Sequence, residues 1–298
     1  EVLPLRPDHH QPHQPDDFIE KPFVREALIS KIERLLTAQA MRKHTQRQRA
    51  ELAELHERRD RDVDVARTIF DRIFAHGQFD PAAIRHVVMP ADRLAGDVVF
   101  GAAVADGRYR WMIGDVTGHT LSSALVTVLL ARVFYRVNGD GGSLEFALDA
   151  LEREIVAVLP GNMFCAGAMC ELDRRAGWLQ VWNGGNPDLV IRRAGGELTL
   201  IPSTSVPLGA DRFAPPSHLV ADYAVAPGDR IFAFSDGLLE LRDRGDEPVG
   251  LARLLEIIRS GAAETVYDRL LALVPALVPD SPGQSVRDDD VSLIEVTV

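Results

Sequence analysis

Between positions 24 and 74 the chain runs without Pro or Gly, and its apolar residues recur at helical spacing, which predicts one long helix from about Val24 to about Phe74. Leu28, Ile32 and Leu35 repeat at four and three, but the same register then meets Gln39, Arg42, Gln46 and Arg49. Apolar character returns at Leu52, Val63, Ala66, Phe70 and Ile73, displaced by three residues, the mark of a stammer in a heptad pattern. The polar middle makes a weak seam, and two readings stand. One is a solvated connector held by local ion pairs such as Glu54–Arg58; the other is a dimerising signalling helix whose centre bends or shifts register.

Beyond Gln78 the period shortens. Apolar runs at 83–89, 97–104, 108–113, 164–172, 177–182, 189–193 and 198–202 read as strands, with a last one at 291–298. Asp106-Gly107 between the second and third is a two-residue hairpin signal. Amphipathic stretches at 121–137 and 144–159, and a helical pair near 250–277, supply helices. Hairpins dominate and helices come in pairs, which excludes a doubly wound βαβ repeat. The pattern predicts an α+β fold, a four-layer α/β/β/α sandwich of antiparallel sheets flanked by helices and preceded by the long helix. Three segments follow: an irregular tail at 1–23, a helical linker and candidate coiled coil at 24–75, and a globular domain at 78–298.

Composition narrows the class. With 298 residues and 46% hydrophobic content the chain can bury a full core, and Lys+Arg 33 against Asp+Glu 44 gives a net charge of −11. That field argues against general nucleic-acid binding. No apolar run approaches membrane-spanning length and no basic-then-apolar leader is present, so a cytoplasmic protein is expected. Cys165 and Cys170, five apart in one predicted strand, fall on opposite faces, so reduced thiols are expected.

The candidate chemistry lies in aspartates at the edges of apolar runs: Asp97, Asp115, Asp236 and Asp289. Carboxylates withdrawn from water need a cation or hydrogen bonds, and their neighbourhoods are apolar, Gly-rich or hydroxyl-bearing apart from Arg287. An all-oxygen cluster suits Mg²⁺ or Mn²⁺ better than Zn²⁺. Two such ions about 4 Å apart acidify a bridging water and neutralise a phosphoryl group, which points to metal-dependent phosphate hydrolysis. Taken singly, each Asp also fits an ordinary cap or Asx-turn.

Gly114-Asp115-Val116-Thr117-Gly118-His119, followed by Ser122-Ser123-Ala124-Leu125, resembles the core motif of PPM-type (type 2C) metal-dependent protein phosphatases, and within them the bacterial SpoIIE-like branch. Gly96-Asp97, Asn183-Gly184-Gly185-Asn186-Pro187, Pro207-Leu208-Gly209, Phe234-Ser235-Asp236-Gly237 and Asp289-Asp290-Val291-Ser292 follow the family order from about residue 78 onward. The resemblance implies that Asp97 and Asp115 bridge two Mn²⁺ or Mg²⁺ ions, that the Val116 carbonyl is a further ligand, and that Asp236 and Asp289 complete one shell. It implies hydrolysis of phosphoserine or phosphothreonine by metal-activated water, on a STAS-domain anti-anti-sigma protein in a partner-switching pathway. His119 either donates a proton to the leaving oxygen or orients its turn. Ala95, Thr120 and Asn186 depart from the pattern without removing a proposed ligand, so a catalytically weak adaptor that binds a sigma-factor regulator stays as the alternative.

Upstream, Asp17-Phe18-Ile19-Glu20-Lys21-Pro22-Phe23 resembles the end of a response-regulator receiver domain, with Lys21 at the phosphate-sensing lysine. Too little chain precedes it here to hold the rest of such a domain. The implied arrangement is a receiver remnant, a linker helix that forms a homodimer, and a phosphatase as output.

Overall fold

The computed structural model describes residues 25–74, 79–80, 83–91, 95–104, 107–117, 121–139, 141–161, 163–212, 218–242, 247–262, 265–274 and 289–298. The tail and the Lys21-Pro22 segment lie outside them. By internal packing the chain divides into two units, Glu1–Arg61 and Asp62–Val298.

Helix α1, Arg25–Phe74, runs for 50 residues, as the lack of Gly and Pro predicts. Along it Ile29, Ile32, Leu36, Met41, Leu52 and Leu55 are exposed.

The remaining elements form two antiparallel five-stranded sheets. The first sheet runs in the order β2 (Asp97–Ala103), β3 (Tyr109–Val116), β4 (Cys165–Asp173), β5 (Trp178–Gly184) and β8 (Val220–Ala224). The second runs β1 (Ile84–Met89), β10 (Val291–Thr297), β9 (Arg230–Phe234), β6 (Leu189–Arg192) and β7 (Leu198–Ile201). Helices α2 (Leu121–Gly139) and α3 (Leu144–Val158) pack on the first sheet, and α4 (Asp236–Glu240), α5 (Gly250–Ser260) and α6 (Val266–Leu271) on the second. The four-layer α/β/β/α order is the predicted one. Strands β8 and β9 and helix α4 go beyond the predicted set. The five residues of β8 are at most half-buried and the five of β9 are mostly buried, so neither displays a clean alternation.

Strand alternation sorts the side chains into layers. Phe100 and Met112 face α2 and α3, where they meet Leu130, Phe134 and Leu148. Val99, Trp111 and Ile113 point between the sheets, against Leu179, Ile191, Ile231 and Ile294. Each fully buried Leu, Ile or Phe contributes about 1.5–3 kcal/mol. Cys165 lies on the helix side and Cys170 between the sheets, both buried and free, as their odd offset predicts. Charged groups also enter the helix-side layer: fully buried Arg110 pairs with buried Glu171 and donates to Asn138 Oδ1 at 2.6 Å and to the Gly142 carbonyl at 2.7 Å.

The β2–β3 turn departs from the two-residue hairpin. The Val104 N–H donates to the Arg108 carbonyl at 2.8 Å and Ala103 pairs with Tyr109, so three residues, 105–107, close the loop, with Gly107 left-handed at φ 78°. Positions 105 and 106 are outside the described residues. The extra residue matters because a register slip of one flips a strand's side chains to the other face. Closure at Val104 and Arg108 sets Asp97 opposite Asp115; a two-residue turn at Asp106-Gly107 would have set it opposite Val116.

Candidate metal centre

β2 opens on Asp97 and β3 ends at Asp115-Val116, so antiparallel pairing puts the two aspartates side by side on the inter-sheet face at one end of the first sheet. The neighbouring end of the second sheet is made where β9 runs into Ser235-Asp236 and Asp289-Asp290 runs into β10.

Asp97 is 2% exposed, and its Oδ2 has no hydrogen-bond partner. Burial, and then the charge of Asp115, hold its carboxyl well above the usual range, although the nearby Ser292 and Ser235 hydroxyls pull it back. Asp115 is half-buried and pushed up to about 7, by burial first and then by the charges of Asp236, Asp289 and Asp290. Five aspartates from four chain segments thus act on one another.

Asp236 is exposed at the start of α4, with Oδ1 accepting the Gly237 N–H at 3.0 Å. Asp289 Oδ1 accepts the Asp290 N–H at 2.8 Å. Both are the local turn bonds that any Asp in such a place can make. Val116 ends β3 with a buried side chain and donates its N–H to the Gly96 carbonyl at 3.3 Å. Thr117 binds the Phe164 carbonyl through its N–H at 3.1 Å and accepts the Phe164 N–H on its hydroxyl at 3.2 Å. Gly118, His119, Thr120 and Arg287 lie outside the described residues.

Among the described residues, no three His, Cys, Asp or Glu side chains already stand in ligating arrangement around one point. What unites the aspartates is a shared end of the sandwich and mutual charge. Their donor set is all oxygen, with one buried oxygen unpartnered, and it fits hard divalent cations such as Mg²⁺ or Mn²⁺. The thiol of Cys165, on β4 opposite Val116, is fully buried and pushed up by burial and then by the charges of Asp115 and Asp97.

Three residues beyond the predicted set shape this end. Ser235 Oγ accepts the Ser292 N–H at 2.9 Å while the Ser235 N–H donates to the Ser292 carbonyl at 3.0 Å, which locks the exit of β9 to the entry of β10. Asp290, 4% exposed, accepts backbone N–H bonds from the segment leading into β2. The doubled acid of Asp289-Asp290 and the serines at matching strand ends were the available signals, but a sequence does not say which of two adjacent carboxylates turns inward.

Residues 105–298 match the family described as Stage II sporulation protein E (SpoIIE). Phosphoserine phosphatase RsbP of Bacillus subtilis (strain 168) is 24% identical over 173 residues, covering 53% of this chain and 42% of that protein. The match thus spans less than half the length of that curated relative. Among solved structures, the SiaA-PP2C domain of Pseudomonas aeruginosa superposes with a TM-score of 0.68 at 18% identity, over 82% of this chain and 98% of that one. RsbX in complex with magnesium superposes with a TM-score of 0.55 at 13% identity, over 74% and 97%. At such identities the superpositions establish the fold.

Proposed function

The chain belongs to the Stage II sporulation protein E (SpoIIE) family, and from that membership we propose that it is a metal-dependent protein serine/threonine phosphatase. The observation that carries the reading is the Asp97–Asp115 pair: two carboxylates opposite one another on one face, one of them buried with an unpartnered oxygen, each acted on by further aspartates. Such a concentration of like charge is relieved by bound cations or, without them, by protonation.

In this reading Asp97 and Asp115 would hold two Mn²⁺ or Mg²⁺ ions, with the Val116 carbonyl, Asp236 and Asp289 as the further ligands. When bound, such ions lower the pKa of water and neutralise a phosphoryl group. The chain's own task is to present the carboxylates from two sheets at one end of the sandwich; with water as the nucleophile, no covalent phosphoenzyme is required. The magnesium complex of RsbX and the shared fold support the choice of ion.

The substrate class we infer is a phosphorylated STAS-domain anti-anti-sigma protein, supported by the motif resemblance and by the phosphoserine phosphatase activity named for RsbP. We assign 78–298 to the phosphatase domain, 24–75 to a dimerising linker, and 1–23 to a receiver remnant that makes the phosphatase a response-regulator output. We place it in the cytoplasm, where the buried thiols of Cys165 and Cys170 stay reduced.

The test is hydrolysis of p-nitrophenyl phosphate and of a phosphoserine-bearing STAS protein with and without Mn²⁺, in the wild type, Asp115→Ala and Asp236→Ala. Mn²⁺-dependent turnover that both variants lose supports the enzyme. Binding of the STAS protein without turnover by the wild type would replace it with the non-hydrolysing adaptor.

A further inference from the structure

Asp290 is linked, directly or through one neighbouring residue, to each chain segment that the metal reading uses. Its Oδ1 accepts the Ala91 N–H at 2.6 Å; its Oδ2 accepts the Gly96 N–H at 2.6 Å and the Asp97 N–H at 3.3 Å. Gly96 is held from its other side as well, because its carbonyl takes the Val116 N–H at 3.3 Å. The backbone carbonyl of Asp290 accepts the Ser235 hydroxyl at 3.4 Å and lies so near Gly237 that a Cβ there would stand 1.9 Å away. Its N–H is bound by Asp289. The residue thus reaches Asp97 directly, Val116 through Gly96, Asp236 through Ser235 and Gly237, and Asp289 as its neighbour.

The direction of these bonds decides what its carboxylate does. An ionised carboxylate is acceptor-only with about four acceptor sites, and three backbone donors already occupy those of Asp290, two of them on Oδ2. It also immediately precedes β10 of the second sheet, and while Ala91 follows β1 of that same sheet, Gly96 and Asp97 lead into β2 of the first, so the carboxylate ties the two halves of the cluster together. We propose that Asp290 is a positioning residue that binds no metal itself and instead fixes Asp97 and Val116 relative to Asp236 and Asp289. The inference rests on the metal reading above.

Groups that orient metal ligands change affinity by about 10–100-fold when altered. The experiment is calorimetric titration of Mn²⁺ into the metal-free full chain, wild type against Asp290→Asn, with thermal melting of both metal-free proteins and turnover measured across the same Mn²⁺ range. Asn keeps one acceptor oxygen but turns an N–H₂ toward backbone N–H groups. The expected result is an unchanged number of ions bound about 10–100-fold more weakly, with turnover recovering at saturating Mn²⁺. Loss of one ion from the stoichiometry would make Asp290 a ligand and overturn the proposal. A lower melting temperature with unchanged Mn²⁺ affinity would make it a brace for the fold alone, and also overturns it. A wild type that binds no Mn²⁺ sinks the metal reading and this role with it. Should Asp290→Asn fail to fold, Ala91→Pro deletes one of the three donors without altering any carboxylate. It must then weaken Mn²⁺ binding in the same direction, and unchanged affinity in that variant counts against the proposal.

Discussion

The Asn186 side-chain amide donates to the Phe234 carbonyl at 3.3 Å, linking the loop after β5 in the first sheet to the last residue of β9 in the second, two positions before Asp236. The same amide reaches the Pro187 carbonyl at 2.8 Å, and the Asn186 N–H donates to Asn183 Oδ1 at 3.1 Å. A residue that reads in the sequence as a departure from a family motif is, in the fold, a fastener between the halves of the site. Asn186→Ala is expected to cost about 1–2 kcal/mol of stability through lost buried hydrogen bonds and to weaken Mn²⁺ binding. Urea unfolding and Mn²⁺ titration check this, and intact Mn²⁺ affinity would confine Asn186 to the fold.

Gly237 is required by space and not by backbone conformation. A Cβ there would meet the Asp290 carbonyl oxygen at 1.9 Å, which forces the start of α4 away from β10 and separates Asp236 from Asp289. Gly237→Ala should cost about 3 kcal/mol by overpacking and abolish metal-dependent turnover. Gly195→Ala, with nothing within 4 Å of the added carbon, is the matched control and should change neither. Equal melting temperatures for the two variants would refute the crowding argument.

Asp115 makes the metal-free protein respond to pH in an unusual direction. Its folded carboxyl is raised from 3.8 to about 7, by burial and then by Asp236, Asp289 and Asp290, and that of Asp97 is raised as well. A carboxyl with a folded pKa above its unfolded value takes up protons on folding. Stability contributed by this group is therefore greatest at low pH and falls as pH rises between about 4 and about 7. Chelator-treated protein should melt lower at pH 8 than at pH 5.5, Asp115→Asn should flatten the difference, and saturating Mg²⁺ should raise the pH 8 value by binding the native state. Melting that rises from pH 5.5 to 8 without metal would contradict the electrostatic picture of the cluster.

Much of this was legible in the sequence, for physical reasons that also mark where legibility stopped. The 50-residue helix follows from an uninterrupted stretch of helix formers, and the long strands follow from short apolar runs bounded by turn residues. Asp97, Asp115, Asp236 and Asp289 stood out because each interrupts an apolar run at its edge. The opposition of Asp97 and Asp115 was not legible, because it depends on a three-residue turn where Asp106-Gly107 signals a two-residue one. The roles of Asp290 and Asn186 were hidden for a similar reason: both bind backbone groups far along the chain, at Gly96 and Phe234, which no local spacing encodes.

Glu171 separates stability from site chemistry. It is buried with Arg110 and also pairs with Arg108, at the opposite end of β3 and β4 from Asp115. Glu171→Ala leaves Arg110 buried without its counter-charge and should cost about 3–5 kcal/mol, while Mn²⁺ affinity at a temperature where the variant is folded stays as in the wild type. Replacing Arg110 and Glu171 together by Met should recover part of the loss. A large change in Mn²⁺ affinity would show that strain from this end reaches Asp115.

The linker helix carries the last prediction. Ile29, Ile32 and Leu36 lie three and four apart on α1 and are exposed, as are Leu52 and Leu55 further along, while Gln39, Arg42, Gln46 and Arg49 occupy the middle. Isolated helices gain little from propensity alone, so an apolar stripe of this length is stable only when it is covered. A second copy of the same helix would supply the matching stripe, with the polar centre weakening the seam. Sedimentation across a wide concentration range should therefore find a reversible dimer, and Ile32→Asp with Leu36→Asp should shift it to monomer without altering p-nitrophenyl phosphate turnover per chain at saturating Mn²⁺. A wild type that stays monomeric at every concentration would remove the coiled coil, and with it the route by which an upstream segment would reach the phosphatase.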